Sequence, residues 1–269
     1  MKSSTLTINT TASTPADAHS ITVTALGGGK TKTSSFSLTI NALTPPPPPP
    51  SSGVTYYMSP TGNNSSSGLS PTSAWKTFAH AIPKLNSGDT LILMDGQYTT
   101  AQAGNVSIDC AGGNAKNGIA AKPIPIKAQN QRKAHIKNDG TGRAFMLTQC
   151  SYWIVDGLTI TSQDNPSYTG EGMLLTVSDG DPATPTAHNI IRNNLLANVN
   201  RYSSGGGCLI LYGSEVQYNL VEGNECYNSD SNSMYGLSSS HNIFRRNYCR
   251  PCRQIHPLDP GTPSAGTDH

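Results

Sequence analysis

Between Cys150 and Cys252 one short phrase recurs four times: YWIVDGLTI from Tyr152, HNIIRNNLLAN from His188, YNLVEGNECYN from Tyr218 and HNIFRRNYCRP from His241. Laid over one another without gaps, the copies place Trp153, Asn189, Asn219 and Asn242 in one column and Val155, Ile191, Val221 and Phe244 in a second. Ile160, Leu196, Cys226 and Cys249 form a third, and in a fourth Leu158 is followed by Asn194, Asn224 and Asn247. A unit this short cannot bury its own apolar face, so the copies must stack and share a core. Apolar residues two apart, rich in Val and Ile, make the units strands rather than helices. Linkers of unequal length between copies are what corners tolerate while strands stay in register. The reading is a coil of stacked parallel strands, each column a ladder of like side chains about 4.8 Å apart. Inward asparagines at the corners tolerate a left-handed backbone and bond neighbouring backbone groups, so stacked copies satisfy one another. Tyr152, His188, Tyr218 and His241 make a further column, which gives the two histidines a structural place rather than that of bases.

The NxxRNN phrase from Asn189, NxxEGN from Asn219 and NxxRRN from Asn242, each with an aliphatic or Cys position downstream, resemble the right-handed parallel β-helix proteins of the pectin-lyase-like superfamily. The resemblance covers Val54 to Cys252 and implies an all-β, right-handed parallel β-helix. The passage from Val54 to Thr77 resembles the opening of such proteins, in which a helix covers the first turn. Ser73 is the expected cap of that helix, whose face shows Trp75, Phe78, Ala79 and Ile82, with Trp75 a covering residue. GIAAKPIPIKA from Gly118 resembles a strand shared by alginate and chondroitin lyases of the chondroitinase-B type. Those lyases use a lysine base and an arginine from later turns, beside acidic calcium ligands. Leu237-Ser238-Ser239 stands where such a lyase offers its lysine, so none of those residues is carried over. The superfamily holds lyases, hydrolases and non-catalytic surface proteins, and fold alone does not choose among them. The resemblance implies an extracellular or cell-surface protein directed at polysaccharide, a lyase or a glycoside hydrolase; the alternative is a non-catalytic surface or adhesion module.

Outside the repeats, the chain of 269 residues is long enough for one large β domain or two domains. With 13% charged residues and a net charge of +2, it carries no electrostatic footprint for nucleic acid. No apolar run approaches the roughly 18 residues of a membrane span, so membrane insertion is not expected. MKSSTLTINTT lacks the apolar core of a signal peptide and is read as a truncated start. Residues 1–43 alternate apolar and Thr or Ser positions, with Gly27-Gly28-Gly29 as a hairpin turn, and resemble the last strands of a bacterial immunoglobulin-like module. Residues 44–53, with prolines from Pro45 to Pro50, are a polyproline II spacer. Residues 54–252 are the coil and 253–269 an irregular tail. That tail is rich in proline, which cannot donate to a strand ladder. It predicts that the coil continues past His269 or that a partner covers its end, and that the isolated chain self-associates through its open last turn.

Candidate catalytic residues in the repeat region are Glu171, Arg201 and Glu215, because polymer cleavage needs a base with a cation, or two carboxyls at a set separation. Asp179 and Asp181 offer hard oxygens to Ca²⁺ around Gly180. With 11 Tyr against 4 Phe, the chain favours rings with a polar tip, and Tyr202 and Tyr212 are the candidate sugar contacts. Most of the six cysteines read as buried thiols, Cys249 among them, although column neighbours come close enough for a disulfide where geometry permits.

Overall fold

The computed structural model describes residues 18–39, 53–139, 143–162, 172–176, 184–197, 207–227 and 234–250. The chain divides into two compact units, Met1–Pro47 and Pro48–His269. In the first, strands Ala18–Gly27 and Lys30–Thr39 pair antiparallel over ten residues. Gly28 and Gly29, at φ 58° and 74°, make the turn between them. The rest of the expected immunoglobulin-like segment, residues 1–17 and 40–43, lies outside the described residues.

The second unit is a parallel β-helix built from three long sheets, with a short two-stranded one at a corner, Thr186–Ala187 on Val216–Gln217. The first sheet stacks, in chain order, Thr55–Met58, Thr90–Leu93, Ile124–Ala128, Trp153–Asp156, Ile190–Arg192, Leu220–Glu222 and Ile243–Arg245. The second stacks Gly96–Thr99, Ala134–Asn138, Thr159–Ser162, Leu195–Ala197, Glu225–Tyr227 and Tyr248–Arg250. The third stacks Val106–Asp109, Phe145–Thr148, Met173–Thr176, Leu209–Tyr212 and Met234–Leu237. All three ladders are parallel, and the gapless superposition of the four phrases is their register: Val155 faces Ile191, Ile191 faces Val221, and Val221 faces Phe244. Inward columns from the three sheets meet in one core, with Leu91, Ile126, Val155, Ile191 and Val221 each 0% exposed. Period-two side chains make this possible, because every second residue of each short strand points inward.

Two asparagine ladders line this core, one at each end of the first sheet's strands. Asn189, Asn194, Asn219 and Asn224 are all buried. Asn189 Oδ1 accepts from Trp153 N at 2.9 Å, while its Nδ2 donates to Cys150 O at 2.8 Å and to Asn219 Oδ1 at 2.9 Å. Asn219 repeats this, donating to Thr186 O and to Asn242 Oδ1. In the other ladder, Asn194 donates to Val155 O and Asn224 Oδ1, and Asn224 donates to Ile191 O and Asn247 Oδ1. The residue before each ladder position is left-handed: Tyr152, His188, Tyr218 and His241 lie at φ 55–62°, and Gly157, Asn193, Gly223 and Arg246 at φ 54–73°. The corner imposes this backbone even on Tyr and Arg, at a local cost that the ladder bonds offset. The side-chain amide suits the position because its oxygen and one N–H serve the preceding turn while its other N–H serves the next.

The expected covering helix is cut into pieces. Pro71–Ser73 is a 3₁₀ turn, the α-helix is only Phe78–Ala81 with Thr77 at its N-cap, and Ile82–Lys84 is again 3₁₀. Ser73 is therefore no N-cap, and Ala79 is exposed rather than on the buried face. Pro83 stops the helix within a turn, and Trp75 is drawn into extended backbone. Trp75 N donates to Tyr57 O, Ser59 N to Trp75 O and Tyr57 N to Gly68 O, so extended backbone covers the first strand's outer edge. The Trp75 ring is buried, stacks on Tyr56 at 4.6 Å and donates to Ser66 O. Gly68 passes so close that a Cβ there would stand 2.4 Å from the indole.

The cysteines depart furthest from expectation. Cys110 bonds Cys150 and Cys208 bonds Cys226, so four of the expected thiols are disulfides. Cys226 turns inward to meet Cys208 across the core rather than its column neighbour Cys249, which is exposed on the last turn. The column position is right, but burial needs a further turn above it.

Candidate functional site

Chemistry on a coil of this kind is confined to its outer faces and corners, since the interior is filled. Along the outer face of the first sheet, charge alternates by turn: Lys127, Asp156, Arg192, Glu222 and Arg245 are in register. Arg192 bonds Asp156 through Nε at 2.9 Å, and Asn193 Nδ2 holds the other oxygen at 2.9 Å. Arg245 grips Glu222 at 3.0 and 3.1 Å, Arg246 adds a third contact at 3.3 Å, and Arg132 pairs with Glu225 at 2.7 Å. Every one of these carboxylates is neutralised by a guanidinium, an arrangement that suits a structural ladder better than a general acid.

Beside it, Tyr152, His188, Tyr218 and His241 stack at 4.9, 5.5 and 4.9 Å with their ring planes within 24° of parallel, as their shared column requires. The faces between neighbouring rings are spent on one another, which leaves mainly edges for a ligand.

The outer face of the second sheet is chemically richer. One column runs Gln97, His135, Thr159, Leu195, Glu225, Tyr248 and the next Thr99, Lys137, Thr161, Ala197, Tyr227, Arg250. His135 Nε2 lies 2.6 Å from Thr161 Oγ1. Burial, and then the Lys137 ammonium, lower the His135 pKa from its ordinary value, so the imidazole is held neutral. Lys137 itself is exposed, and Arg132 stands at the corner that leads into this strand. Farther along, Tyr227 and Tyr248 are about half exposed and the Arg250 guanidinium lies 4.6 Å over the Tyr248 ring. The face thus offers hydroxyls, a neutral base, cations and aromatic rings in one plane. Because His135 resists protonation when folded, the unfolded chain takes up protons first as pH falls through about 6.5. Stability should therefore fall below that pH, and His135→Gln should flatten the decline; denaturant midpoints measured between pH 5 and 8 check this.

Of the residues singled out in sequence, Glu171, Asp179, Asp181, Arg201 and Tyr202 lie outside the described residues. Glu215 is half-buried at the corner after the third sheet, where its Oε2 accepts from Gln217 Nε2 at 3.4 Å. Tyr212 is exposed at the end of strand Leu209–Tyr212 on the same corner. Neither meets the His135 face. His135 and Lys137 escaped the reading because they precede the four clear repeats; the alternation Ala134, His135, Ile136, Lys137 was the available signal. Among the described residues no cluster of His, Cys, Asp or Glu could hold a metal ion, and no helix is long and apolar enough to cross a membrane.

The stacked parallel sheets and inward asparagine ladders define a parallel β-helix protein. Among solved structures, the chain aligns with pectate lyase Pel9A at TM-score 0.49 and 16% identity, over 79% of this chain and 57% of that one. It also aligns with a rhamnogalacturonan lyase at TM-score 0.44 and 16% identity, over 72% and 56%. A family 6 polysaccharide lyase from Pseudopedobacter saltans gives 0.34 and 16%, over 70% and 47%. The chain spans little more than half the length of the first two. No protein-family model and no curated protein matches it.

Proposed function

We propose that this is an extracellular polysaccharide-directed protein that lays an anionic sugar chain along the outer face of the second sheet. The observation that carries the reading is His135, held neutral beside Lys137 on an open face. Lys137 supplies charge for a uronate carboxylate, and the neutral imidazole is in the form that accepts an α-proton, as β-elimination requires. Two disulfides fit an oxidising, extracellular setting. Incubation with a panel of uronic-acid polymers, followed by ultraviolet absorbance of the unsaturated product, tests it. His135→Ala should then lower the rate about 100-fold or more, with Lys137→Ala acting in the same direction.

The second reading, a non-catalytic surface module, is favoured by the guanidinium pairing of Asp156, Glu222 and Glu225. It predicts retardation in polysaccharide-containing gels without cleavage, weakened by Tyr227→Ala and Tyr248→Ala. Neither cleavage nor retardation with any polymer would exclude both.

A further inference from the structure

The segment that covers the first strand's edge also shapes an open cavity of about 480 Å³, among whose lining residues are Tyr56, Ser66, Leu69, Trp75, His80 and Lys84. Its walls are held by bonds of their own. Asn64 Oδ1 accepts from Lys76 N and Thr77 N at 2.9 and 3.1 Å, and its Nδ2 donates to Thr77 Oγ1, which ties the loop to the helix Phe78–Ala81. Ser67 and Ser70 each bond the Ser73 hydroxyl. Trp75 is fixed by the Tyr56 stack and by its bond to Ser66 O, with the His80 ring edge-on to it at 5.3 Å. Walls fixed in this way lose little entropy when a ligand enters.

Three polar groups take no part in that scaffold. Among the described residues, the His80 imidazole, the Lys84 ammonium and the Ser66 hydroxyl have no hydrogen-bond or ion-pair partner. His80 and Lys84 are four residues apart along the helix and its 3₁₀ continuation, which sets them on one side. Burial, and then the Lys84 ammonium, lower the His80 pKa, so the ring is neutral and offers one donor and one acceptor. Leu69, 56% exposed, adds an apolar wall. An occupant must therefore bring one anionic group to Lys84, hydroxyls to His80 and Ser66, and C–H surface to Leu69 and the rings. Lys84 is the only cation among the lining residues, which matches one carboxylate and not a polyphosphate. The volume lies in the lower part of the roughly 300–1,000 Å³ usual for small-molecule sites. We propose that this cavity is a binding subsite for one uronate unit of an anionic polysaccharide, held through Lys84, His80 and Ser66. The inference rests on the polysaccharide reading above, but the cavity shares no residue with the face that carries His135.

The chain has two tryptophans, so the indole N–H groups of Trp75 and Trp153 give two signals in a nuclear magnetic resonance spectrum of the isotope-labelled full chain. Titration with D-galacturonate should shift the Trp75 signal and the His80 ring protons saturably, with a Kd in the millimolar range expected of so small a ligand. The Trp153 signal, from a ring buried in the coil and bonded to Lys116 O, should stay in place. D-galactose should bind at least about tenfold more weakly, because it lacks the carboxylate for a charge-assisted bond. Lys84→Gln should cause the same loss with galacturonate, and Lys84→Arg should restore most of the binding. His135→Ala should leave this titration unchanged, so failure of the His135 face to cleave polymers and failure of this subsite are separate results. Equal shifts with the two sugars, saturable shifts that survive Lys84→Gln, or no saturable shift with galacturonate would each overturn the proposal.

Discussion

Replacing Asn224 by leucine should lower the free energy of unfolding by about 2–6 kcal/mol, because two buried groups lose their partners at about 1–3 kcal/mol each. Asn194 N loses its 3.0 Å acceptor and Ile191 O its 2.8 Å donor, and both lie between turns where water does not reach. The bonds from Asn224 to Asn247 and from Asn194 to Asn224 go as well, so the ladder is cut in its middle. Asn130→Leu is the control: that side chain is exposed and donates only to Asp95, and its loss should cost under about 1 kcal/mol. Urea denaturation of the two variants against the parent checks this. Equal midpoints would mean that the inward ladder is not what holds the corners.

Opening the Cys110–Cys150 bond is expected to have the other large effect. It ties adjacent strands' ends in the third sheet and closes a loop across 40 residues of sequence. Loop-closure entropy puts its contribution at about 4 kcal/mol, against about 3 for Cys208–Cys226, whose partners are 18 apart. The double variant Cys110→Ala, Cys150→Ala should therefore shift the midpoint more than Cys208→Ala, Cys226→Ala, and reduction of the parent should approach the sum. A midpoint unmoved by reductant would show that the bonds contribute nothing beyond the packing of their sulfurs.

The coil itself was legible because its repeats are short and its columns are chemically strict. Val155, Ile191, Val221 and Phe244 could be put in register from the text alone, since a one-residue slip would turn every side chain to the other face. The asparagine ladders followed for the same reason: their spacing is that of the strands, and each amide meets a copy of itself. The aromatic column of Tyr152, His188, Tyr218 and His241 was equally readable as structure.

The site was not legible, because it is made between columns rather than within them. His135 owes its neutral state to burial on the second sheet and to Lys137, two residues on and therefore on the same face. Its bond to Thr161 joins residues 26 apart, brought together only by one turn of the coil. Cys208 sits outside the repeated phrase, so its bond to Cys226 depends on where the corner before Leu209 enters the core. Local pattern determined which residues stack on their own kind. Tertiary structure decided which unlike residues meet across a corner, because corner lengths vary freely and the spacing of side chains along a strand says nothing about them.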